Sequence, residues 1–455
     1  MNSFKNKDIM IIVPHQDDEL NICGGMFTSD YFDMSRVKIV FSTNGDYLCN
    51  YKARVRETNR LVRRLKMKRE NIIYLGYSDQ YYNEDNHIYM VHEPNVFTSK
   101  KGDSVTFSNN YHFKKYGENN KFNYESFVSD IKEVILDNKP GVIFAIDFDS
   151  HPDHRALSLA FEAAMGDILK EEKTYRPLIY KAFAYPTYYK GIDDFNTKGS
   201  NKTKFNTEPY SLCEMENPYY SFNERISFPV KNNKILLFNK TYKLFKIYRS
   251  QLIIKRIYRI LNDDMIFFQR RSDNLLYRGD IKTSSGKSEY INDFMLFDVS
   301  NLMNGNTKKV KLGNKALVFD KDDNKKEIVI KLDKKYHLKE LVIYQSIYKD
   351  EMIKEIRISV NNKIFNQRLN SIKQSIMLDD ETDMIKIRVI KTSGDNAGFS
   401  EIELFDKKEV KKVLEEDKEE YREDKLLKVI NNITLCFSVF FARVINKIAR
   451  ITGRL

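Results

Sequence analysis

Two short polar segments carry most of the residues that could do chemistry. The first, residues 14–19, reads Pro-His-Gln-Asp-Asp-Glu and directly follows the apolar run 9–13. The second, residues 151–154, reads His-Pro-Asp-His and comes shortly after another apolar run that begins at Val142. Imidazoles and carboxylates beside a buried strand are costly unless they are paired or bind a metal ion. Both segments therefore need an explanation.

Together the two segments offer ligands for a divalent metal ion. Two imidazoles and one carboxylate are a common set for catalytic zinc, which leaves one position for water. His15 and Asp18 are three residues apart and can chelate one ion across a turn, and a ligand from residues 151–154 would complete the set. A carboxylate beside the ion would take a proton from the water, whose pKa the metal lowers toward ~7.

Each segment also has a purely structural interpretation. Asp-Asp-Glu at the start of a helix can cap that helix and offset its dipole. His-Pro-Asp-His can be a loop whose histidines are satisfied in the core. Because both segments follow strands of one predicted sheet, the metal site is favoured. The remaining four histidines lie among polar residues and are expected at the surface or in loops; they are His87, His92, His112 and His337.

The elements around these segments predict a Rossmann-like α/β fold with a doubly wound, mostly parallel sheet. Strands are expected at 8–13, 37–42, 72–75, 142–147 and 178–185, and helices at 19–27, 52–68, 124–138, 156–169 and 240–261. Residues 80–122 are expected to be an irregular insertion near the site, and 263–277 a connection. Gly24 and Gly25 are expected to let the first helix lie close to the first strand.

A β-sandwich is predicted after residue 278 or so. Short alternating segments occur there at 327–332, 338–344, 354–360, 384–389 and 401–405, with turn residues at 304–305 and 394–396. Several short strands at this spacing are typical of a sandwich. We therefore expect domains at 1–275 and 278–406 and a helical tail at 407–455, charged over 407–424.

The last 31 residues predict a basic amphipathic helix. They contain six Lys or Arg and no Asp or Glu, and their apolar stripe consists of Leu426, Ile430, Ile433, Phe437, Phe440, Phe441, Val444 and Ile448. Such a helix suits an anionic membrane surface, and docking on the protein itself or on a partner is the alternative. Spanning is disfavoured, because the uninterrupted apolar run covers only 433–442.

Composition narrows the cellular setting. The net charge of +12 comes from 76 Lys or Arg against 64 Asp or Glu spread along the chain, which does not favour nucleic acid as a partner. The four cysteines form no C-x-x-C pair, which indicates a reducing compartment and no structural zinc cage. The first strand begins too early for a signal peptide. We expect a cytoplasmic protein, associated with the inner face of the membrane if the tail binds there.

The two polar segments resemble the motifs of the PIG-L/LmbE-like N-acetylglucosaminyl deacetylase family, (Ala/Pro)-His-Pro-Asp-Asp-Glu and His-Pro-Asp-His. The resemblance extends over about residues 7–275 and includes Arg54 with Glu57, Leu-Gly-x-x-Asp at 75–79, and Ser250-Gln251. Gln16 stands where the family usually has Pro. That position is expected to shape the backbone rather than to bind a ligand.

The resemblance implies a role for each candidate residue. His15, Asp18 and His154 would bind one zinc ion, and Asp17 would be the general base. His151 would stabilise the tetrahedral oxyanion or protonate the leaving amine, with Asp153 orienting its ring. Arg54 and Asp79 would hold sugar hydroxyls.

The activity implied is zinc-dependent removal of acetate from a GlcNAc-type sugar, free or on a nucleotide or lipid carrier; another divalent metal is an alternative to zinc. Hydrolysis of another sugar-linked amide and a non-catalytic carbohydrate-binding role are the competing hypotheses. The C-terminal β domain resembles the discoidin or F5/8 type C, galactose-binding-like group through residues 279–285 and 397–405. That resemblance implies either glycan binding or a positioning role beside the enzyme domain.

Overall fold

The computed structural model describes most of the chain. The described residues are 4–47, 49–80, 87–107, 109–185, 202–203, 205, 217–252, 261–300, 302, 312–313, 315–408 and 424–454. The predicted turn at 304–305 and nearly all of the predicted charged helix at 407–424 lie outside them.

A seven-stranded, mostly parallel sheet forms the first unit and confirms the predicted α/β fold. Its strands are β1 (Ile9–Val13), β2 (Val37–Thr43), β3 (Ile72–Tyr77), β4 (Val142–Ile146), β5 (Leu178–Ala182), β6 (Ile226–Pro229) and β7 (Asp264–Arg270). Their order is β3-β2-β1-β4-β5-β7-β6, with β1 to β5 parallel, β7 antiparallel to β5, and β6 antiparallel to β7. The winding reverses between β1 and β4, which are direct neighbours. The crevice at such a switch point is where doubly wound sheets bind ligands.

Within the described residues, seven α-helices accompany the strands. They are α1 (Asp18–Thr28), α2 (Tyr51–Leu65), α3 (Tyr111–Tyr116), α4 (Tyr124–Asn138), α5 (Pro152–Glu171), α6 (Lys240–Phe245) and α7 (Lys425–Ile451). The helix α5 begins at Pro152 rather than at Ala156 as expected. Proline suits a first helical position, and the His151 side chain caps the helix by accepting from the Asp153 N–H at 3.2 Å. His154 therefore lies in the first turn of α5.

The helix predicted at 240–261 is not continuous over its described part, and residues 253–260 of it lie outside the described residues. The helix α6 ends at Phe245, a 3₁₀ turn follows at Arg249–Gln251, and Leu252 has a left-handed backbone with φ of 51°. Glu57 on α2 accepts hydrogen bonds from the N–H and the hydroxyl of Ser250, at 2.9 and 2.6 Å. These contacts with a distant part of the chain hold residues 249–251 in a conformation that does not continue the helix.

Two further expectations about the first unit are corrected. The connection expected at 263–277 contains β7, whose residues 268–270 pair with β5. Gly24 and Gly25 do not serve the approach to β1. A Cβ on Gly25 would lie 3.0 Å from Val230, and one on Gly24 would lie 3.4 Å from Thr241, so these glycines admit the segments around β6 and α6.

An antiparallel β-sandwich forms the second unit. Its strands are β8 (Gly279–Thr283), β9 (Asp298–Val299), β10 (Leu312–Gly313), β11 (Leu317–Val318), β12 (Glu327–Gln345), β13 (Ile353–Val360), β14 (Lys363–Arg368), β15 (Lys373–Thr392) and β16 (Gly398–Phe405). The strands expected at 327–332 and 338–344 are two parts of β12, and 384–389 is part of β15. Three consecutive exposed residues at 333–335 break the alternation where the β12–β15 register shifts, which made one strand look like two.

The sandwich packs directly behind the helix that carries His154. Arg270 of β7 contacts Glu162 of α5 at 3.4 Å and donates to the Phe294 carbonyl at 3.0 Å. Phe297 and Phe405 belong to the same buried cluster as the strands of the first sheet. The two units therefore share a hydrophobic core, and the position of α5 depends on both.

Candidate active site

The ends of β1 and β4 bring the two polar segments together. The Asp18 Oδ2 atom lies 3.0 Å from His15 Nδ1 and 3.2 Å from His154 Nε2. All three side chains are buried, and among the described residues His154 Nε2 makes no hydrogen bond of acceptable geometry. A buried ring nitrogen without a hydrogen bond, beside a carboxylate that faces two imidazoles, fits a divalent metal ion.

Carboxylates hold the other ring nitrogens of both histidines. His15 Nε2 lies 3.0 Å from Asp153 Oδ2, and His154 Nδ1 lies 2.8 Å from Asp149 Oδ1. Such partners fix the orientation of histidines that bind metals and raise their basicity. Asp149 is itself held by the backbone N–H groups of His151, Ala184 and Tyr185, at 2.9, 3.1 and 3.0 Å. Asp149 was not among the predicted residues, although a carboxylate right after an apolar strand was a signal for it.

The buried carboxylates give the site a strong preference for cations. Burial lowers the pKa of His15, but Asp79, Asp153 and Asp18 outweigh burial and raise that pKa well above its ordinary value. The same balance, with Asp149 and Asp18 as partners, raises the pKa of His154 to about 9. In the protein without metal, protons on these rings offset the carboxylate charge, and a metal ion would take their place.

In the part of the chain that the structure describes, two overlapping groups of side chains could hold an ion by distance alone. One is His15, His151 and His154, and the other is His15, Asp79, His151 and Asp153, with donor atoms within 4.8 Å of one another in each. The predicted set has Asp18 in the place of His151. We favour Asp18 because its Oδ2 already lies next to both rings, whereas His151 Nδ1 is engaged by the backbone of Asp153.

Asp17 differs from its neighbour Asp18 in backbone conformation and in the exposure of its side chain. It stands at the N-cap position of α1, yet its side chain makes no capping hydrogen bond, so the simple capping interpretation fails for it. Its φ of 126° is a strained conformation for a residue with a side chain, and such strain concentrates at functional sites. Its side chain is 16% exposed, against 2% for Asp18. Asp17 is thus the carboxylate of this pair that solvent reaches.

His151 presents one defined ring nitrogen to the site. Its ring stacks on His154, with centroids 4.6 Å apart. Because Nδ1 accepts from the Asp153 N–H, the neutral ring carries its proton on Nε2. Burial, together with the charges on His154 and His15, lowers the pKa of His151 well below its ordinary value. The neutral ring is a hydrogen-bond donor through Nε2.

The contacts described for Asp153 differ from the predicted one. Asp153 was expected to orient His151, but its carboxylate contacts His15 Nε2 at 3.0 Å and His87 Nε2 at 2.7 Å, and accepts from the Gln80 N–H at 3.1 Å. His87 was expected at the surface or in a loop; it lies in a loop, at the N-cap of the 3₁₀ turn Ile88–Met90, but its side chain is buried. The insertion folds back over the site, and the polar residues around His87 in sequence concealed this. Of the other three, His92 and His337 are exposed and His112 is partly buried in α3.

Arg54 and Asp79 both lie at the site. Arg54 is buried and donates to the carbonyl of Gly45 at 2.9 Å and of Gln16 at 2.7 Å, which braces the loops after β2 and β1. Its Nη1 also lies 3.8 Å from Asp17 Oδ2, and Asp79 Oδ1 lies 3.7 Å from His15 Nε2. The buried amide of Gln16 has no hydrogen-bond partner among the described residues, so this residue acts through its backbone carbonyl.

A doubly wound sheet with His/Asp segments at its switch point is the arrangement of an α/β enzyme domain. Residues 10–165 match the model of the PIG-L family, described as GlcNAc-PI de-N-acetylase. The chain therefore carries a PIG-L domain there, and the family is one of deacetylases, which are hydrolases. No significant match to a curated protein was found.

Solved structures similar to this chain include several carbohydrate-binding modules. They include the family 32 module of NanJ from C. perfringens in complex with galactose, at 14% identity, a TM-score of 0.22, and coverage of 29% of this chain and 95% of that one. A fucose-binding module from Streptococcus pneumoniae is 18% identical, with a TM-score of 0.21 and coverage of 29% of this chain and 96% of that one. Chitosan-binding module 1 from Paenibacillus sp. IK-5 is 8% identical, with a TM-score of 0.21 and coverage of 29% of this chain and 98% of that one. The C-terminal unit is, as expected from the sequence, an antiparallel β-sandwich.

Proposed function

We propose that this protein is a zinc-dependent deacetylase that removes acetate from a GlcNAc-type amino sugar. The PIG-L domain supports the reaction class. The observation that carries the proposal is the approach of Asp18 Oδ2 to both His15 Nδ1 and His154 Nε2 beside the strained Asp17. Nitrogen and carboxylate donors in this ratio suit Zn²⁺, although other divalent ions accept the same set.

The chain's own groups divide the remaining work. His15, Asp18 and His154 would hold the ion, which when bound polarises the amide carbonyl and acidifies water. Asp17 takes a proton from the attacking water, and its side chain is open enough to reach it. His151 donates its Nε2–H to the oxygen that becomes negative when the carbonyl turns tetrahedral, a contribution of about 3–4 kcal/mol in comparable sites.

Water adds to the carbonyl carbon while Asp17 holds the proton it has taken. Asp17 then returns this proton to the departing nitrogen, the C–N bond breaks, and the products are acetate and the free amino sugar. The hydrogen bond at His151 Nδ1 favours the role of oxyanion donor over that of the acid for the amine, because the neutral ring is held as a donor.

Arg54 and Asp79 are the proposed contacts for sugar hydroxyls. Asp79 borders the ring of His15, and Arg54 borders Asp17, so a sugar bound there would lie next to the reacting amide. Two of the donors of Arg54 are used on loop carbonyls, so part of its role is to hold the loops in place.

We propose a positioning role for the sandwich, with glycan binding as the alternative. Its residues 297, 298 and 302 contact residues that lie next to the site on the other side of α5. Arg155 donates to the Leu302 carbonyl at 3.1 Å, the rings of Phe148 and Phe297 lie 5.2 Å apart, and Tyr89 donates to Asp298 at 3.0 Å. These contacts support the segment that carries His151 and His154.

We also propose that the enzyme works in the cytoplasm at the inner face of the membrane. Among the described residues, Cys49 and Cys436 form no disulfide, which is in line with a reducing compartment.

Acetate release from a panel of free, nucleotide-linked and lipid-linked GlcNAc tests the proposal. The panel is run with the protein as purified, after chelation, and after Zn²⁺ is returned. Deacetylation predicts acetate and free amine in equal amounts, loss with chelator and recovery with zinc. Cleavage of another sugar-linked amide, tested beside the panel, with no acetate released from any GlcNAc substrate would favour the alternative amidase. Sugar binding without turnover on any substrate would favour the non-catalytic role.

A further inference from the structure

The C-terminal helix α7 docks on the first, α/β unit by a polar and small-residue face. The Asn431 side chain donates to the Lys234 carbonyl at 3.0 Å and accepts from the Leu236 N–H at 2.9 Å. Asn446, four turns further along, donates to the Arg249 carbonyl at 2.9 Å. Ala442, between them, is buried in a cluster that includes Tyr242 and Phe245 of α6. This face is fixed by directed hydrogen bonds and small side chains.

The opposite face of α7 is apolar and exposed. At 3.6 residues per turn, the stripe predicted from the sequence lies away from Asn431, Ala442 and Asn446. Eleven large apolar side chains on this helix are between 37% and 77% exposed: Leu426, Val429, Ile430, Ile433, Phe437, Phe440, Phe441, Val444, Ile445, Ile448 and Ile451. A contiguous apolar surface of this extent marks an interaction site.

Residues of the α/β unit extend the apolar surface beyond the helix. Leu237 and Phe238 are 56% and 58% exposed and lie just after the backbone that Asn431 binds. A groove of about 610 Å³ separates α7 from this unit, lined on one side by Leu237 and Ile247 and on the other by Phe437 and Phe441. The enzyme unit and the helix thus present one apolar surface together.

Positive charge borders this surface. Arg60, Lys246 and Arg249 line the groove. The exposed residues Arg443, Lys447 and Arg450 lie on α7 between its docked face and its apolar face, and residues 425–455 contain no acidic side chain. Lysine and arginine beside an exposed apolar face are complementary to anionic phospholipid headgroups over hydrocarbon.

We propose that the apolar face of α7, with Leu237 and Phe238, is a binding surface for an anionic lipid bilayer on which the helix lies in the plane of the membrane. By length and composition α7 could also cross a bilayer, since 27 residues span about 40 Å. This corrects the expectation that the apolar segment is too short. Crossing would break the hydrogen bonds of Asn431 and Asn446 and strip the helix from the enzyme, whereas lying flat keeps them.

Vesicle flotation with the full-length protein tests the lipid as the occupant. The protein is expected to float with vesicles containing phosphatidylglycerol and to bind neutral phosphatidylcholine vesicles far more weakly, with binding that weakens as salt increases. The triple variant Phe437→Ser, Phe440→Ser, Phe441→Ser is expected to remain unbound. Its matched control, Ile364→Ser with Met377→Ser, removes exposed apolar side chains of the sandwich and is expected to float normally.

A charge series separates headgroup attraction from apolar burial. Changing Arg443, Lys447 and Arg450 to Gln is expected to weaken binding to anionic vesicles by roughly two orders of magnitude. The same change at three exposed lysines of the sandwich, Lys282, Lys334 and Lys335, is expected to have no effect. Equal loss in both sets would overturn the assignment of the surface to α7.

Spin labels placed singly at Ile430, Phe437, Val444 and Ile451 decide between lying flat and crossing. An in-plane helix places all four at a similar shallow depth, measured by oxygen and nickel collision rates. A maximum of depth at Phe437 and Val444 with both ends in water would show crossing and overturn the proposal. Failure of the wild type to bind vesicles, with self-association that the Phe437→Ser triple variant abolishes, would assign the surface to a second copy instead.

Discussion

The Nε2 atom of His87 lies 2.7 Å from Asp153 Oδ1, and the other oxygen of that carboxylate lies 3.0 Å from Nε2 of His15. His87 Nδ1 accepts from the Tyr89 N–H, so the neutral ring is held with its proton toward Asp153. A residue of the insertion therefore sets the orientation of a proposed metal ligand through one carboxylate.

His87 should tune metal binding without touching the metal. We expect His87→Ala to lower zinc affinity by about 10–100-fold, because Asp153 loses the donor that fixes it against His15. Competition with a chromophoric chelator measures this affinity. His92→Ala changes an exposed histidine of the same insertion and is the matched control. Unchanged affinity in His87→Ala would separate this histidine from the site.

The neighbours Asp17 and Asp18 should fail in different ways. We expect Asp17→Asn to retain one zinc ion per chain and to lose about 10²–10⁴-fold in kcat, because the base is gone and the ligands remain. Asp18→Asn should lose the ion, since it removes the charge between His15 and His154. Metal content by mass spectrometry of the intact protein, paired with acetate release, distinguishes the two. Full turnover in Asp17→Asn would refute the base assignment.

His151 should contribute to kcat rather than to metal content. We expect His151→Phe to keep the ring stacked near His154 and to lower kcat by about 10²–10³-fold, because the donor for the oxyanion is removed. Zinc content should remain at one per chain. A loss of zinc in this variant would instead make His151 a ligand, as the group His15, His151 and His154 allows by distance.

The buried lysine on β5 should contribute strongly to the free energy of unfolding. Lys181 on β5 is fully buried and contacts Asp147 at 2.9 Å, Ser158 at 2.8 Å and also Glu162. We expect Lys181→Met to destabilise the fold by about 3–5 kcal/mol, because carboxylates remain buried without this cation. Urea unfolding measures the change, with the exposed Lys282→Met as control. A change below about 1 kcal/mol would mean that Arg270 compensates for the lost charge.

The sheet and the convergence of the two polar segments could be predicted because they depend on local patterns. Apolar runs ending at Pro14 and near Asp147 placed both segments at strand ends, and parallel neighbours in one sheet bring such ends together. The helix α4 was predicted with its observed bounds for the same reason, since its caps and periodicity are local.

The rest depends on contacts between distant parts of the chain. Nothing near His87 in sequence announces that the insertion folds back onto Asp153. Ser250 donates two hydrogen bonds to Glu57 just beyond the point where a helical pattern that looked continuous to residue 261 is interrupted. The docking of α7 by Asn431 and Asn446 was equally hidden, because the apolar stripe that dominates its sequence faces outward.

The most direct test of the central claim is acetate release by the purified protein, measured together with bound zinc as the ion is titrated into the chelated form. The account predicts that activity on an N-acetylated amino sugar rises in proportion to zinc, reaches its plateau at one ion per chain, and is absent in Asp18→Asn at any zinc concentration. Acetate release that is equal in the chelated protein, or that survives in Asp18→Asn, would contradict it.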